Sequence, residues 1–133
     1  MLFYIQQNYN VPKLIVGDFN FSNIRWYDTY DSGASACCSD LSGNELKFVN
    51  ALRENFLLQH ITQPTRQRGS DTPHMLDLII TSDNFLSDIE YLSPFGMSDH
   101  SVLWALVGEV PRHRRADCPL WDGPTSAVAP RPL

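Results

Sequence analysis

The chain has no apolar run long enough to cross a membrane, so it is read without a membrane partner. Its first residues, Met1-Leu2-Phe3-Tyr4-Ile5, lack the basic region and the long apolar stretch of a secretory signal. Cysteine is scarce. Cys37 and Cys38 have no second pair to complete a zinc site, and with Cys118 they read as free thiols in a reducing compartment. Basic charge is also short: 15 acids against 10 Lys plus Arg give a formal charge of −5. That balance excludes a protein whose main work is coating nucleic acid. It does not exclude a nuclease, whose site needs carboxylates and recruits cations to meet phosphate. No Gly-x-Ser-x-Gly elbow occurs, which places a serine hydrolase built on Ser98 or Ser101 low among the readings. The expected location is intracellular, nuclear or cytoplasmic.

What is present suffices for one folded domain. The 133 residues are 43% hydrophobic and 11% aromatic, enough for a real core. Composition changes after residue 110. Five of the nine prolines fall in residues 111–133, beside Arg112, Arg114 and Arg115. The expected division is a domain over residues 1–110 and a disordered Pro/Arg-rich tail over 111–133.

Periodicity places the elements. Residues 1–10 are weakly helical. Lys13 to Phe19 reads as a strand, and residues 21–41 as a long loop pinned by Trp26 and Tyr27. Ser42 and Glu45 form a capping box for a helix over 43–56, with Leu41 stapling onto Leu46. Leu46, Val49, Leu52 and Phe56 lie on its apolar face. Short strands are expected at Leu57 to Ile61, Met75 to Thr81, Leu86 to Leu92 and Ser101 to Val107, with a polar loop from Gln63 to His74. This order, with one helix and short returns, predicts an α/β (α+β) fold with a mixed, largely antiparallel sheet.

Three segments carry chemistry. Leu14-Ile15-Val16-Gly17-Asp18-Phe19-Asn20 ends an apolar strand in an acid and an amide two residues apart, hence on one side of a strand. Asp18 can orient or deprotonate a water, and Asn20 can donate to a phosphoryl oxygen. The bland alternative is an Asx-type turn closing the strand. Asp77 lies within Leu76-Asp77-Leu78-Ile79-Ile80. A carboxylate among such neighbours needs a donor, and His100 of Ser98-Asp99-His100 is the natural one. That contact would fix the tautomer of His100. Adjacent strand residues face opposite ways, so Asp99 would then sit at the strand mouth near a cation or water.

The set Gly17-Asp18-Phe19-Asn20, Trp26, Leu76-Asp77-Leu78-Ile79-Ile80-Thr81-Ser82 and Ser98-Asp99-His100-Ser101 resembles the endonuclease/exonuclease/phosphatase superfamily. Close relatives by this resemblance are the apurinic-like endonuclease domains of non-LTR retrotransposons. Leu92-Ser93-Pro94-Phe95-Gly96-Met97 resembles the run before their last motif. The resemblance spans roughly residues 3–107, the carboxyl half of that domain.

It implies half of a deoxyribonuclease-I-like four-layer β-sandwich, hydrolysing phosphodiesters with Mg2+, or Mn2+ in its place. By similarity, Asp18 positions the attacking water and Asn20 stabilises developing charge. Asp77 orients His100, His100 contacts the scissile phosphate, and Asp99 lies beside the metal. Arg66 and Arg68 occupy a loop that meets substrate in such proteins. The implied partners are double-stranded DNA, an upstream half-domain and a downstream reverse transcriptase.

The family's metal-binding Glu strand has no place before residue 13. Glu45, Glu54, Glu90 and Glu109 do not replace it, so the resemblance implies a chain inactive alone. A half-sandwich also predicts an exposed apolar sheet face. Two other readings stay open: a non-catalytic remnant or interaction module, and a phosphoinositide or sphingolipid phosphodiesterase of the same superfamily.

Overall fold

The computed structural model describes residues 11–29 and 33–109. The expected amino-terminal helical segment and the expected tail lie outside them. Seven strands and one helix follow in the order β1 (Leu14–Asp18), β2 (Trp26–Thr29), β3 (Gly33–Ala36), α1 (Gly43–Glu54), β4 (Leu58–Gln59), β5 (Asp77–Thr81), β6 (Leu86–Leu92) and β7 (Val102–Val107). One sheet runs β1-β5-β4-β3-β2 and the other is the β6-β7 pair. Every named pairing is antiparallel. The architecture is therefore an α+β, sandwich-like fold of mostly antiparallel sheet with one helix.

The central strand explains the layering. Leu78, Ile79, Ile80 and Thr81 of β5 are all buried. A strand buried at consecutive positions must be covered on both faces. Helix α1 supplies Phe48, Val49 and Leu52 to the core, and β6-β7 supplies Leu86, Ile89, Tyr91, Leu103 and Ala105. Phe48 also stacks at 5.0 Å on Phe19 and on Phe21, fixing the chain just beyond β1 to the helix.

Four sequence expectations change. The loop over 21–41 contains β2 and β3, an added hairpin that pairs onto β4. Trp26 does pack on the core, whereas Tyr27 is 53% exposed. The capping box does not form: Ser42 makes no side-chain cap bond, and Glu45 accepts a bond from Asn23 Nδ2 at 3.4 Å. The helix also ends before Phe56. Phe56 N–H donates to the Arg53 carbonyl and Leu57 N–H to the Leu52 carbonyl, the paired bonds of a Schellman close. Phe56 takes the left-handed position with φ 52 and is 85% exposed, while Leu57 turns into the core.

Apolar side chains remain outward on the edges. Along β7, Leu103 and Ala105 point inward and Val102, Trp104 and Leu106 outward, at 41, 46 and 47% exposure. On edge strand β1, Val16 is 63% exposed. Among the described residues, no helix is long and apolar enough to cross a membrane.

Candidate active site

The three motif segments meet at one end of the sandwich. Asp18 closes β1 and Asp77 opens β5, and the two are directly paired in the ladder. Residues directly opposite share a face, so both carboxylates look the same way. His100, just ahead of β7, completes the group. One ligand atom from each of Asp18, Asp77 and His100 lies within 4.8 Å of the others. His100 Nδ1 is 2.8 Å from Asp77 Oδ2. An ionised carboxylate only accepts, so Nδ1 is the donor, and a neutral ring then presents Nε2 as an acceptor. A cleft of about 290 Å³ runs alongside, between β1-β5 and β7, with Val16, Asp77, Ser101 and Leu103 in its walls.

Local conformation builds this display. The chain leaves the strand at Asp18, and Asn20 adopts φ 55, which asparagine tolerates better than most residues. Asn20 N–H donates to Asp18 Oδ1 at 2.9 Å, an Asx turn. Asn20 therefore projects from a turn rather than from the strand pleat, and it is exposed. One Asp18 oxygen is engaged by this turn.

The segment around Arg66 ties the loop to both strands. Arg66 bridges to His74 on one side and His100 on the other. Its Nε donates to Asp99 Oδ2 at 2.9 Å, and this guanidinium bond holds the Asp99 carboxyl below its usual range. The other Asp99 oxygen, Oδ1, is 3.9 Å from His100 Nε2, beyond hydrogen-bond range. For a cation, Asp99 thus has Oδ1 to offer. Arg68 is exposed in the same loop.

Groups away from this cluster are also perturbed, among them His60 and Cys37. His60 is 8% exposed, and burial pushes its pKa down. Thr81 Oγ1 donates to the Asp83 carbonyl, so His60 Nε2, 2.6 Å from that hydroxyl, must be the donor. Cys37 is a free thiol 3.1 Å from Ser39 Oγ. Hydrogen bonds from Ser39, and then from Tyr27, hold it below its usual range. Cys38 is also free, and Cys118 lies outside the described residues.

The donor set suits a hard divalent cation in part. Two carboxylates and an imidazole offer three ligands, and water completes the shell such ions prefer. Among the described residues no glutamate joins the group. Sequence reasoning missed Thr65, which is fully buried beneath these residues. A single hydroxyl in a polar loop carries no periodic signal that would have marked it.

A family model described as endonuclease-reverse transcriptase matches residues 2–104. That span takes in all three motif segments. No curated protein and no solved structure matches the chain.

Proposed function

The chain belongs to the endonuclease-reverse transcriptase family, an endonuclease/exonuclease/phosphatase-type domain of retrotransposons, and from that premise we propose that Asp18, Asn20, Asp77 and His100 form one wall of a phosphodiester-hydrolysing site that nicks double-stranded DNA. The observation that carries the reading is the convergence of Asp18, Asp77 and His100 within 4.8 Å from three distant segments.

Each group has a chemical task there. Asp18 has an oxygen not engaged by the Asx turn, with which to orient a water or take its proton. Asn20, exposed beside it, donates to a phosphoryl oxygen as charge grows. Asp77 holds Nδ1–H of His100, which points Nε2 at the phosphate; protonated, Nε2 donates to it. Arg66 steadies Asp99 and, with Arg68, faces the DNA backbone. The carboxylates of Asp18 and Asp77 would hold a Mg2+ or Mn2+ ion, which would supply neutralisation of phosphate charge and polarisation of the ester, leaving His100 Nε2 for the phosphate. Asp99, outside that group of three, would lie beside the cation with Oδ1 left over from its Arg66 bond.

The outward apolar strands support a chain completed by an upstream half-domain, and among the described residues no glutamate joins Asp18, Asp77 and His100. In this reading the domain lies ahead of a reverse transcriptase in a polyprotein and works inside the cell, in the nucleus or the cytoplasm. Nicking of supercoiled plasmid tests this. The chain alone gives no Mg2+-dependent nicking, and supplying the upstream half gives it. Restored nicking that survives Asp18→Ala or His100→Ala would remove the assignments. Failure of any upstream half to restore nicking would favour the non-catalytic reading.

A further inference from the structure

We propose that Thr65 is the positioning residue that sets the Asp77–His100 pair. Thr65 is fully buried, and its polar atoms reach the backbone of both segments that carry that pair. Its Oγ1 accepts Asp77 N–H at 2.9 Å and Leu76 N–H at 3.1 Å. Its carbonyl accepts Ser101 N–H at 2.7 Å, and its own N–H donates to the His74 carbonyl at 2.9 Å. One residue therefore grips the backbone of Asp77 itself and the backbone next to His100.

The third motif segment joins through one more link. Phe19 N–H donates to the Leu76 carbonyl at 2.8 Å, so the Leu76 peptide connects the end of β1 to Thr65. The named sheet pairings tie Asp18 to Asp77 but do not tie Asp77 to His100. β5 and β7 belong to different sheets, and β7 pairs with β6. At the site end the two sheets are connected through residues 65–67: Arg66 bridges His74 and His100, and Gln67 N–H donates to the Asp99 carbonyl at 3.1 Å. Within that clasp the Arg66 side chain holds Asp99, and the Thr65 side chain is the one that holds Asp77. A hydroxyl has two lone pairs, and both N–H groups take one. A valine of the same shape leaves both without an acceptor, one of them on buried Leu76.

Positioning differs from plain stability in its spectroscopic consequence. With Thr65 in place, the neutral His100 ring carries its proton on Nδ1, aimed at Asp77. Without the Oγ1 grip, the start of β5 shifts against the start of β7 and the ring relaxes toward a mixture of tautomers.

The test is NMR on the full chain, with long-range imidazole spectra and amide exchange on Thr65→Val and Thr65→Ser. The catalytic consequence rests on the hydrolase reading, but the tautomer does not, so a chain without nicking activity still answers the question. In folded Thr65→Val the Nδ1–H share of His100 should fall by about twofold or more; in Thr65→Ser, which keeps an acceptor, it should hold. An unchanged tautomer in folded Thr65→Val would overturn the proposal, because the residue would then only support the fold. Should Thr65→Val not fold, Thr65→Ser decides. Its rotatable hydroxyl should speed exchange of the Leu76 and Asp77 amides and of the His100 Nδ1 proton together, by about tenfold. Faster amides beside an unchanged Nδ1 proton would refute the proposal.

Discussion

Asp18 and Asp77 sit directly opposite each other in the β1-β5 ladder, where like charges are unfavourable. Replacing Asp18 by Asn removes one charge and keeps an acceptor oxygen for the Asn20 N–H turn bond. Unit charges within 4.8 Å repel by about 1 kcal/mol at the dielectric of water and by about 3–4 kcal/mol at an effective value near 20. Asp18 is exposed, so the low end applies, and the His100 contact to Asp77 offsets a further part. Asp18→Asn should therefore stabilise the fold by about 0.5–1 kcal/mol in EDTA at neutral pH. In equilibrium urea unfolding that moves the midpoint up by a few tenths of a molar, for a slope of about 1–3 kcal/mol per molar. Saturating Mg2+ or Mn2+ should reverse the order. At a hundredfold excess over its Kd a cation adds about 2.7 kcal/mol to the wild type, and Asp18→Asn forgoes most of it. A variant no more stable than wild type in EDTA, or one that gains equally from the cation, would refute the reasoning.

Three further outcomes follow from the same geometry. Because burial depresses His60 below the 6.5 of a free histidine, the unfolded chain binds more protons between those two values. Stability should be full above about pH 6.5, fall as pH drops through that window, and lose the slope in His60→Gln; a slope that persists in the variant would contradict this. Phe56→Gly should raise stability by about 0.5–1 kcal/mol in urea unfolding, since a glycine relieves the left-handed φ of 52 and no buried contact is lost. Peptide mapping after brief iodoacetamide treatment at neutral pH should show Cys37 alkylated ahead of Cys38, with Ser39→Ala slowing Cys37 by about two- to fivefold.

The elements that could be read from the sequence are those whose pattern is local. Leu14 to Asp18 and Leu76 to Ile80 are apolar runs of strand length, and Val49 with Leu52 marks the helix face. The β2-β3 hairpin escaped because Gly33-Ala34-Ser35-Ala36 has little strand propensity of its own. It is a strand because it pairs with β2 and β4, and a side chain at Gly33 would run into the Gln59 carbonyl. Phe56 continued the helical spacing, but a Schellman close overrode it so that Leu57 could be buried. At the site, the identity and order of Asp18, Asp77 and His100 were legible because few residue types carry such chemistry. The engagement of Asp99 by Arg66 and the grip of Thr65 were not, since both depend on a loop returning across the gap between two sheets.

Paramagnetic Mn2+ reads out whether the three distant segments handle a cation together, without needing turnover. In two-dimensional amide spectra of the chain, substoichiometric Mn2+ should broaden Asp18, Asn20, Asp77 and His100 first and spare exposed acids elsewhere, such as Asp71 and Asp88. Asp18→Asn should abolish that selectivity. Broadening spread evenly over the acidic surface, or centred equally in the variant, would contradict the account.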